Sequence, residues 1–203
     1  PANVPYIILG TGLLWFGWFG FNAGSALAAN ADAVIAFANT NIASATAMIT
    51  WMFYERFRNR KMSAVGACIG AIVGLVAITP AAGFVTISQS IFIGFVAAIT
   101  SNLAISWFSK TGIDDTLDVF PSHGVGGIVG MLLTAVFAKD VGLIHGETAT
   151  FMWHIITLIG VSIFTFAGSL TLYKIVDLLL PIRVTTVQEE RGLDASQHGE
   201  EVS

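Results

Sequence analysis

The sequence predicts an all-α, polytopic transmembrane helical bundle, and three observations carry that prediction. Hydrophobic residues make up 55% of the 203-residue chain, and charged residues make up only 11%. Soluble domains carry roughly 25% charged residues, so this chain lacks the polar surface that a soluble globule of its size requires. Its apolar residues also gather into segments of about 20 residues, the length with which an α-helix crosses a bilayer. The lipid bilayer is therefore its expected environment, and no nucleic acid partner is expected.

Six segments are long and apolar enough to be predicted as transmembrane helices. In chain order they are Tyr6–Leu27, Ala33–Tyr54, Met62–Ile78, Val85–Phe108, Val119–Ala138 and Thr150–Leu180. The last segment is longer than a simple crossing requires and is expected to project beyond the bilayer. A polar, acidic stretch follows Pro181. The sequence therefore predicts a transmembrane domain over residues 1–182 and a C-terminal tail over residues 183–203.

The basic residues predict how these segments are oriented. If successive segments alternate in direction, eight of the nine lysines and arginines lie on one face of the membrane, and only Lys139 lies on the other. Cytoplasmic loops carry an excess of Lys and Arg, so the face with eight is predicted to be cytoplasmic. We therefore expect a multi-pass protein of the cell (inner) membrane whose C-terminus is cytoplasmic.

The first segment alternates aromatic residues with glycines between Gly10 and Ser25. Two interpretations of this pattern are equally open. The bulky rings could simply pack into glycine notches, or they could line a path in which aromatic faces hold a small cation. The third segment carries Gly66, Gly70 and Gly74, a spacing that favours close contact between helices.

The most informative run extends from Asp114 to Gly130, where carboxylates precede an apolar segment that contains His123. An ionisable side chain at membrane depth is costly, so by default it marks a pathway for an ion or a proton. A structural hydrogen bond is the other interpretation, and it is the more common one for a lone buried histidine. Nearby glycines would let neighbouring helices approach closely. They are not a dinucleotide fingerprint, which requires a preceding strand in a soluble βαβ unit.

Other classes of site are disfavoured by the sequence. Cys68 is the single cysteine, which excludes an internal disulfide and a cysteine-rich metal site. We expect no metal, no cofactor and no enzymatic activity, because no nucleophile–base pair stands out. Asp114, Asp115 and Asp118 are interpreted as solvated residues near a helix N-terminus, where carboxylates stabilise the helix dipole. Asp118 is the best placed of the three to cap the fifth segment.

Three blocks of the sequence resemble the ammonium transporter (Amt/Rh) family, and the resemblance extends over nearly the whole chain. The blocks are GWFGFNAGS from Gly17 to Ser25, the run from Asp114 to Gly130, and the tail from Glu189 to Glu200. The family has eleven spans, of which the first ten form two inverted five-helix repeats, and it assembles as a homotrimer with a hydrophobic pore in each subunit. This chain is similar to spans six to eleven. The resemblance therefore implies that the N-terminal half of the same protein is a partner.

The resemblance also implies roles for individual residues. His123 matches the second of two histidines that meet at the pore centre, and Phe21 matches one of two stacked gate phenylalanines. Ser25 matches a hydroxyl that helps to hold ammonium in the outer vestibule, and Trp18 matches a residue that lines the path. The residues expected to be structural near the pore are Asn22, Gly124 and Asp118.

The function that the resemblance implies is transport of ammonium or ammonia. The alternative is an ammonium-sensing receptor of the same fold, which binds ammonium and signals through its cytoplasmic tail or a fused signalling domain. In relatives the tail couples subunits and responds to PII-type signal proteins. A PII-type protein or a fused signalling domain is therefore a further expected partner of the tail.

Overall fold

The computed structural model describes residues 3–200, and within that range it contains helices and turns but no β-strand. The predicted all-α fold is confirmed. The first four helices are α1 (Val4–Gly24), α2 (Ala31–Phe57), α3 (Ala64–Ile78) and α4 (Ile87–Phe108). A π-helical segment, Phe120–Val125, leads directly into α5 (Gly126–Phe137), and a short 3-10 turn, Leu143–His145, precedes α6 (Ala149–Leu179). The tail contains α7 (Thr186–Arg191) and a π-turn, Asp194–His198.

The described chain divides into two compact units, one ending at Leu158 and the other starting at Ile159. The first unit holds α1 to α5 and the beginning of α6. The second unit holds the rest of α6 and the tail. Within the second unit, Thr185 and Gln188 form a capping box that starts α7, and Arg183 forms a 3.0 Å ion pair with Glu189.

Helix α2 is central to the first unit, because α1, α3 and α4 all pack against it. Glycines make the closest approaches possible. A Cβ atom on Gly74 would lie 2.5 Å from the carbonyl oxygen of Ala43, and a Cβ atom on Gly94 of α4 would collide with the same carbonyl. Side chains at Gly66 and Gly70 would likewise meet α2. The predicted close contact along the glycines of the third segment is therefore confirmed.

Five helical stretches within residues 3–200 are long and apolar enough to cross a membrane, and α3 is not among them. The third predicted segment, Met62–Ile78, is therefore too long, since the Ser63 side chain caps a helix that begins at Ala64 and has 15 residues. At 1.5 Å per residue such a helix is roughly 22 Å long, less than the ~30 Å of a hydrocarbon core. Pro80, which cannot continue the helix, lies two residues after its end.

A buried irregular segment follows α3 and extends the chain beyond the end of this short helix. Residues 79–85 form turns, yet Ala81 and Val85 are fully buried. Asn39 of α2 supplies donors for this backbone, since its amide nitrogen donates to the carbonyl oxygens of Ala82 and Val85, each at 2.8 Å. Non-helical backbone at membrane depth is tolerated where protein buries and satisfies it. Asn39 thus makes the break after α3 compatible with a membrane environment.

The π-helical segment and α5 pack against α3 and α4. A Cβ atom on Gly130 would collide with the carbonyl of Ala77, so α5 touches the backbone of α3 directly. A Cβ atom on Gly126 would lie 3.6 Å from a side-chain methyl carbon of Val76 and 3.6 Å from the hydroxyl of Ser101. This packing anchors the segment that carries His123 on one side of α3.

Candidate functional site

Trp18 and Phe21 form an aromatic pair on α1. Their ring centroids are 5.9 Å apart and their planes are nearly perpendicular, at 88°. The indole nitrogen of Trp18 donates a 2.8 Å hydrogen bond to the hydroxyl of Thr79 at the end of α3. Phe21, by contrast, is 59% exposed. The pair therefore has one ring held by α3 and the other projecting from the described surface.

Two cavities meet at Phe21. One, of about 460 Å³, is lined by Leu13, Leu14, Gly17, Trp18 and Phe21. The other, of about 450 Å³, is a cleft lined in part by Phe21, Asn22, Ser25, Thr79, Asp32 and Lys139. Phe21 lines both, so this residue borders an apolar cavity and a more polar cleft. Within residues 3–200, a Cβ atom on Gly17 or on Gly20 would have no heavy atom within 4 Å. No aromatic ring of the described chain therefore packs against these two glycines.

Ser25 contributes an acceptor to the polar cleft. It is the residue that ends α1, and its hydroxyl donates a 2.7 Å hydrogen bond to the carbonyl oxygen of Phe21. Its single hydroxyl hydrogen is thereby occupied, whereas its oxygen keeps lone pairs. Ser25 can therefore accept hydrogen bonds from a ligand in the cleft.

Asn22 joins α1 to α2 beside the cleft. Its side chain is buried, and its amide nitrogen donates a 3.0 Å hydrogen bond to the hydroxyl of Thr40. Thr40 in turn donates to the carbonyl oxygen of Ala36 at 2.6 Å. This chain of hydrogen bonds anchors the end of α1 on which Phe21 and Ser25 lie.

His123 lies in the middle of the π-helical segment, with an exposed side chain. Its neighbours Pro121 and Ser122 are buried. Neither ring nitrogen of His123 has a hydrogen-bond partner within residues 3–200. The structure therefore does not supply the structural hydrogen bond that was the alternative interpretation of this histidine. Single π-helical turns are frequent at functional sites.

Gly124 makes room for an aromatic ring beside His123. A Cβ atom on Gly124 would lie 2.9 Å from a ring carbon of Phe120. The Phe120 ring also lies 5.5 Å from that of Phe108, centroid to centroid. A larger residue at position 124 would displace Phe120 from this contact.

Asp115, not Asp118, caps the helix that carries His123. The two carboxylate oxygens of Asp115 accept hydrogen bonds from the backbone nitrogens of Val119 and Phe120, at 2.9 and 2.8 Å. The prediction that Asp118 is the best placed cap was wrong, because its backbone takes a left-handed conformation with φ 51° and no side-chain cap bond is found there. Burial, and then the nearby charge of Asp115, raises the pKa of Asp118 above its ordinary value.

Helix α3 relates the two groups of candidate residues. Trp18, Phe21 and Ser25 lie on α1, and Thr79 connects them to the end of α3. The segment with His123 packs on α3 and α4, and α1 packs on α2 and α3. The sequence interpretation missed Thr79 as a site residue, although a hydroxyl directly before a proline inside an apolar segment was a visible signal.

No group of three or more potential metal ligands is found within residues 3–200. The candidate residues thus offer aromatic rings, hydroxyl oxygens and the unpaired imidazole of His123. These groups suit a small polar or cationic solute.

Comparison with known proteins gives a consistent result. The sequence model of the Ammonium Transporter Family matches residues 1–203. The ammonium transporter of Bacillus subtilis is 43% identical over 98% of this chain and 52% of its own length. That of Aquifex aeolicus is 44% identical over 98% of this chain and 48% of its own length. The chain thus spans about half the length of the curated relatives it matches.

Solved structures agree with the sequence relatives. The crystal structure of Candida albicans Mep2 superposes with a TM-score of 0.86 at 36% identity, and the match covers 92% of this chain and 45% of Mep2. A sensor Amt protein superposes with a TM-score of 0.88 at 32% identity, and the match covers 96% of this chain and 49% of that protein.

Proposed function

This chain belongs to the ammonium transporter family, and from that premise we propose that it forms part of a pathway that carries ammonium or ammonia across a membrane. The observation that carries the proposal is the cleft that Ser25 and Phe21 line together, where Phe21 also pairs edge to face with Trp18. Its multi-pass character follows from five helices that are long and apolar enough to cross a bilayer. The relatives reported above are transporters, which agrees with the expectation that this chain is not an enzyme.

The chemistry of the cleft suits ammonium. The ion carries four N–H donors and no acceptor, and it is costly to strip of water unless each donor finds a partner. Ser25 offers an oxygen whose own hydrogen is already donated to Phe21. Aromatic faces attract a cation by a further ~0.5–2 kcal/mol. Ser25 therefore binds ammonium in the outer vestibule, and Trp18 lines the path beyond it.

Phe21 serves as one gate ring. Its position between the apolar cavity and the polar cleft supports this role, because a ring there separates hydrated from dehydrated solute. Asn22 supports the gate structurally through its hydrogen bond to Thr40. A second gate ring comes from the N-terminal half of the same protein.

His123 is one of two pore histidines, and its partner belongs to the N-terminal half. Its exposed ring with free nitrogens supports this proposal. A neutral imidazole can accept a hydrogen bond from ammonia or relay a proton from ammonium. Gly124 and Asp118 shape the segment that presents this ring.

The assembled protein has eleven spans and forms a homotrimer. Exposed apolar side chains on α1, such as Leu13 at 64% and Phe16 at 76%, support coverage by lipid or by further spans. The protein lies in the cell (inner) membrane with its tail in the cytoplasm, and the distribution of Lys and Arg supports that orientation. A PII-type signal protein, or a fused signalling domain, acts at the tail.

An ammonium sensor is the second candidate function. The similarity to a sensor Amt protein favours it, since this match has a TM-score as high as that to Mep2. A sensor would retain ammonium binding at the cleft but signal through its tail.

One experiment separates the two functions. Ammonium-dependent current is recorded from the intact protein on a solid-supported membrane, beside His123→Ala and the control His145→Ala, which changes an exposed histidine in a turn. A wild-type current that only His123→Ala alters or abolishes is expected for a transporter that uses this histidine. Ammonium binding without current would favour the sensor, and equal currents in all three proteins would refute the role of His123.

A further inference from the structure

Thr79 joins the end of α3 to the aromatic pair of α1. Neither the sequence motifs nor the family resemblance had identified it as a site residue. It ends α3, two helices away in sequence from the aromatic pair of α1. Its hydroxyl oxygen accepts the indole N–H of Trp18 at 2.8 Å, and its hydroxyl hydrogen is donated to the carbonyl oxygen of Leu75 at 2.7 Å. It also lines the polar cleft together with Ser25.

The two hydrogen bonds fix each other's direction. A threonine hydroxyl has one hydrogen, and donation to the carbonyl four residues earlier uses it. Towards Trp18 the oxygen can then act only as an acceptor. Because indole has a single N–H and no acceptor, this bond decides which way the Trp18 ring faces. The ring in turn meets Phe21 edge to face at 5.9 Å.

The same bonds occupy the donors of Ser25, Thr79 and Trp18. The hydroxyl hydrogens of Ser25 and Thr79 are both given to backbone carbonyls, and the indole N–H is given to Thr79. Ser25 and Thr79 both line the cleft, and their oxygens still have lone-pair capacity, although the Thr79 oxygen already accepts from Trp18. At these three residues an ammonium ion, which is purely a donor, therefore meets acceptors and ring faces, whereas Lys139, elsewhere in the lining of the cleft, is itself a donor. A free indole N–H at the same place would oppose it.

We propose that Thr79 is a positioning and specificity-determining residue, which sets the orientation of Trp18 and keeps its N–H away from the cation. This inference rests on the proposed function, since it names how the cleft selects a donor-only cation. Thr79 acts through Trp18 and through the polarity of the cleft.

Two substitutions test this role. Thr79→Val keeps the shape of the side chain but removes the acceptor, and Thr79→Ser restores a hydroxyl. Thr134→Val is the matched control, because Thr134 of α5 makes the same kind of bond, to the carbonyl of Gly130 at 2.7 Å, and lines neither cavity. The currents of the intact protein are measured against ammonium concentration. Thr79→Val is expected to raise the apparent KM for ammonium about tenfold, which is the size of effect expected when one hydrogen bond to a charged ligand is lost. Thr79→Ser and Thr134→Val are expected to keep a KM near that of the wild type.

A spectroscopic readout separates positioning from general damage. The Trp18 indole N–H resonance, identified by its absence in Trp18→Phe, is expected to shift in Thr79→Val and to return in Thr79→Ser. In the Trp18→Phe background, adding Thr79→Val is expected to change KM little further, since residues that act through one contact are not additive. This double variant also serves if Thr79→Val alone folds poorly.

The possible results distinguish a failure of the inference about Thr79 from a failure of the proposed transport function. An unshifted indole resonance in Thr79→Val, or a shifted resonance with an unchanged KM, would overturn the inference. A full additional loss in the Trp18→Phe background would also overturn it. Absence of any ammonium current in the wild-type protein would instead count against the proposed transport function, and the indole resonance would still report whether Thr79 holds Trp18.

Discussion

The hydroxyl of Ser25 donates a 2.7 Å hydrogen bond to the carbonyl oxygen of Phe21, one helical turn earlier. The bond joins the proposed ammonium acceptor to the backbone of the proposed gate. Because the hydrogen of Ser25 points into the helix, its oxygen faces the cleft as an acceptor. The recognition group and the ring beside it are thus built into the last turn of α1.

Ser25→Ala is expected to weaken recognition of ammonium. Removing a hydrogen bond to a charged group costs about 1.5–3 kcal/mol, so the apparent KM for ammonium should rise by about tenfold or more. Transport currents at varied ammonium concentration measure it. The control is Ser109→Ala, since Ser109 ends α4 in nearly the same backbone conformation. A KM that both alanine variants leave unchanged would contradict the assigned role of Ser25.

Phe21→Ala is expected to join the two cavities that this residue borders. Hydrated ions would then enter the apolar cavity, so the ratio of ammonium to potassium current should fall by about tenfold, or about 1.4 kcal/mol of selectivity. Currents under the two cations measure this ratio. Phe16→Ala is the control, because Phe16 is exposed on the same helix and lines neither cavity. An unchanged ratio in Phe21→Ala would argue against a gate at this ring.

Asn39→Leu is expected to destabilise the fold. The substitution keeps a similar volume but leaves the carbonyl oxygens of Ala82 and Val85 without their donor. Each buried acceptor left unsatisfied costs about 1–3 kcal/mol, so the melting temperature in detergent should fall by several degrees. Asn41→Leu on the same helix is exposed and should have little effect. Equal melting temperatures for the two variants would mean that the turn after α3 does not depend on Asn39.

Asp118→Asn is expected to stabilise the protein at neutral pH. The pKa of Asp118 is raised by burial and by Asp115, so its charged form disfavours the folded state. The contribution of Asp118 to the stability of the fold is fully present at a pH below its ordinary pKa of 3.8. That contribution is lost as the pH rises through the raised pKa of the folded state. Asn also tolerates the left-handed backbone found at this position. Melting temperatures measured from pH 3.5 to 7.5 should therefore diverge as the pH rises, with the variant higher.

The control for that series is Asp114→Asn, an exposed neighbour in the same loop. Its melting temperature should follow the wild type across the range. A wild-type protein that is more stable than Asp118→Asn at pH 7.5 would contradict the expected sign.

The helices were largely predictable because apolar composition and membrane thickness constrain them together. The predicted Ala33–Tyr54 compares with the observed Ala31–Phe57, and Thr150–Leu180 compares with Ala149–Leu179. The third helix was predicted two residues too long at its start, because Met62 and Ser63 precede the helix and the Ser63 side chain caps it at Ala64, a boundary that apolar composition does not reveal. The cap was assigned to Asp118 instead of Asp115, because the choice between nearby carboxylates depends on a left-handed backbone that is not visible in the sequence.

The residues of the candidate site could be proposed only in part from the sequence, for a similar reason. Motifs that are local in sequence identified the candidates Trp18, Phe21, Ser25 and His123. Thr79 became a candidate only through its hydrogen bond to Trp18, which lies 61 residues away in the chain. The hydrophobic periodicity of a sequence does not reveal a hydrogen bond between residues so far apart in the chain.

The sequence by itself determined that this protein is a helical membrane protein of the ammonium transporter family, because hydropathy and local motifs need no knowledge of packing. The tertiary structure decided which hydrogen bonds are made between helices. It brought Thr79 to Trp18, Asn22 to Thr40 and Asn39 to a buried turn. The physical reason is that a buried donor is stabilised by an acceptor within about 3 Å, and for these three residues only the packing of α1, α2 and α3 determines which acceptor lies there.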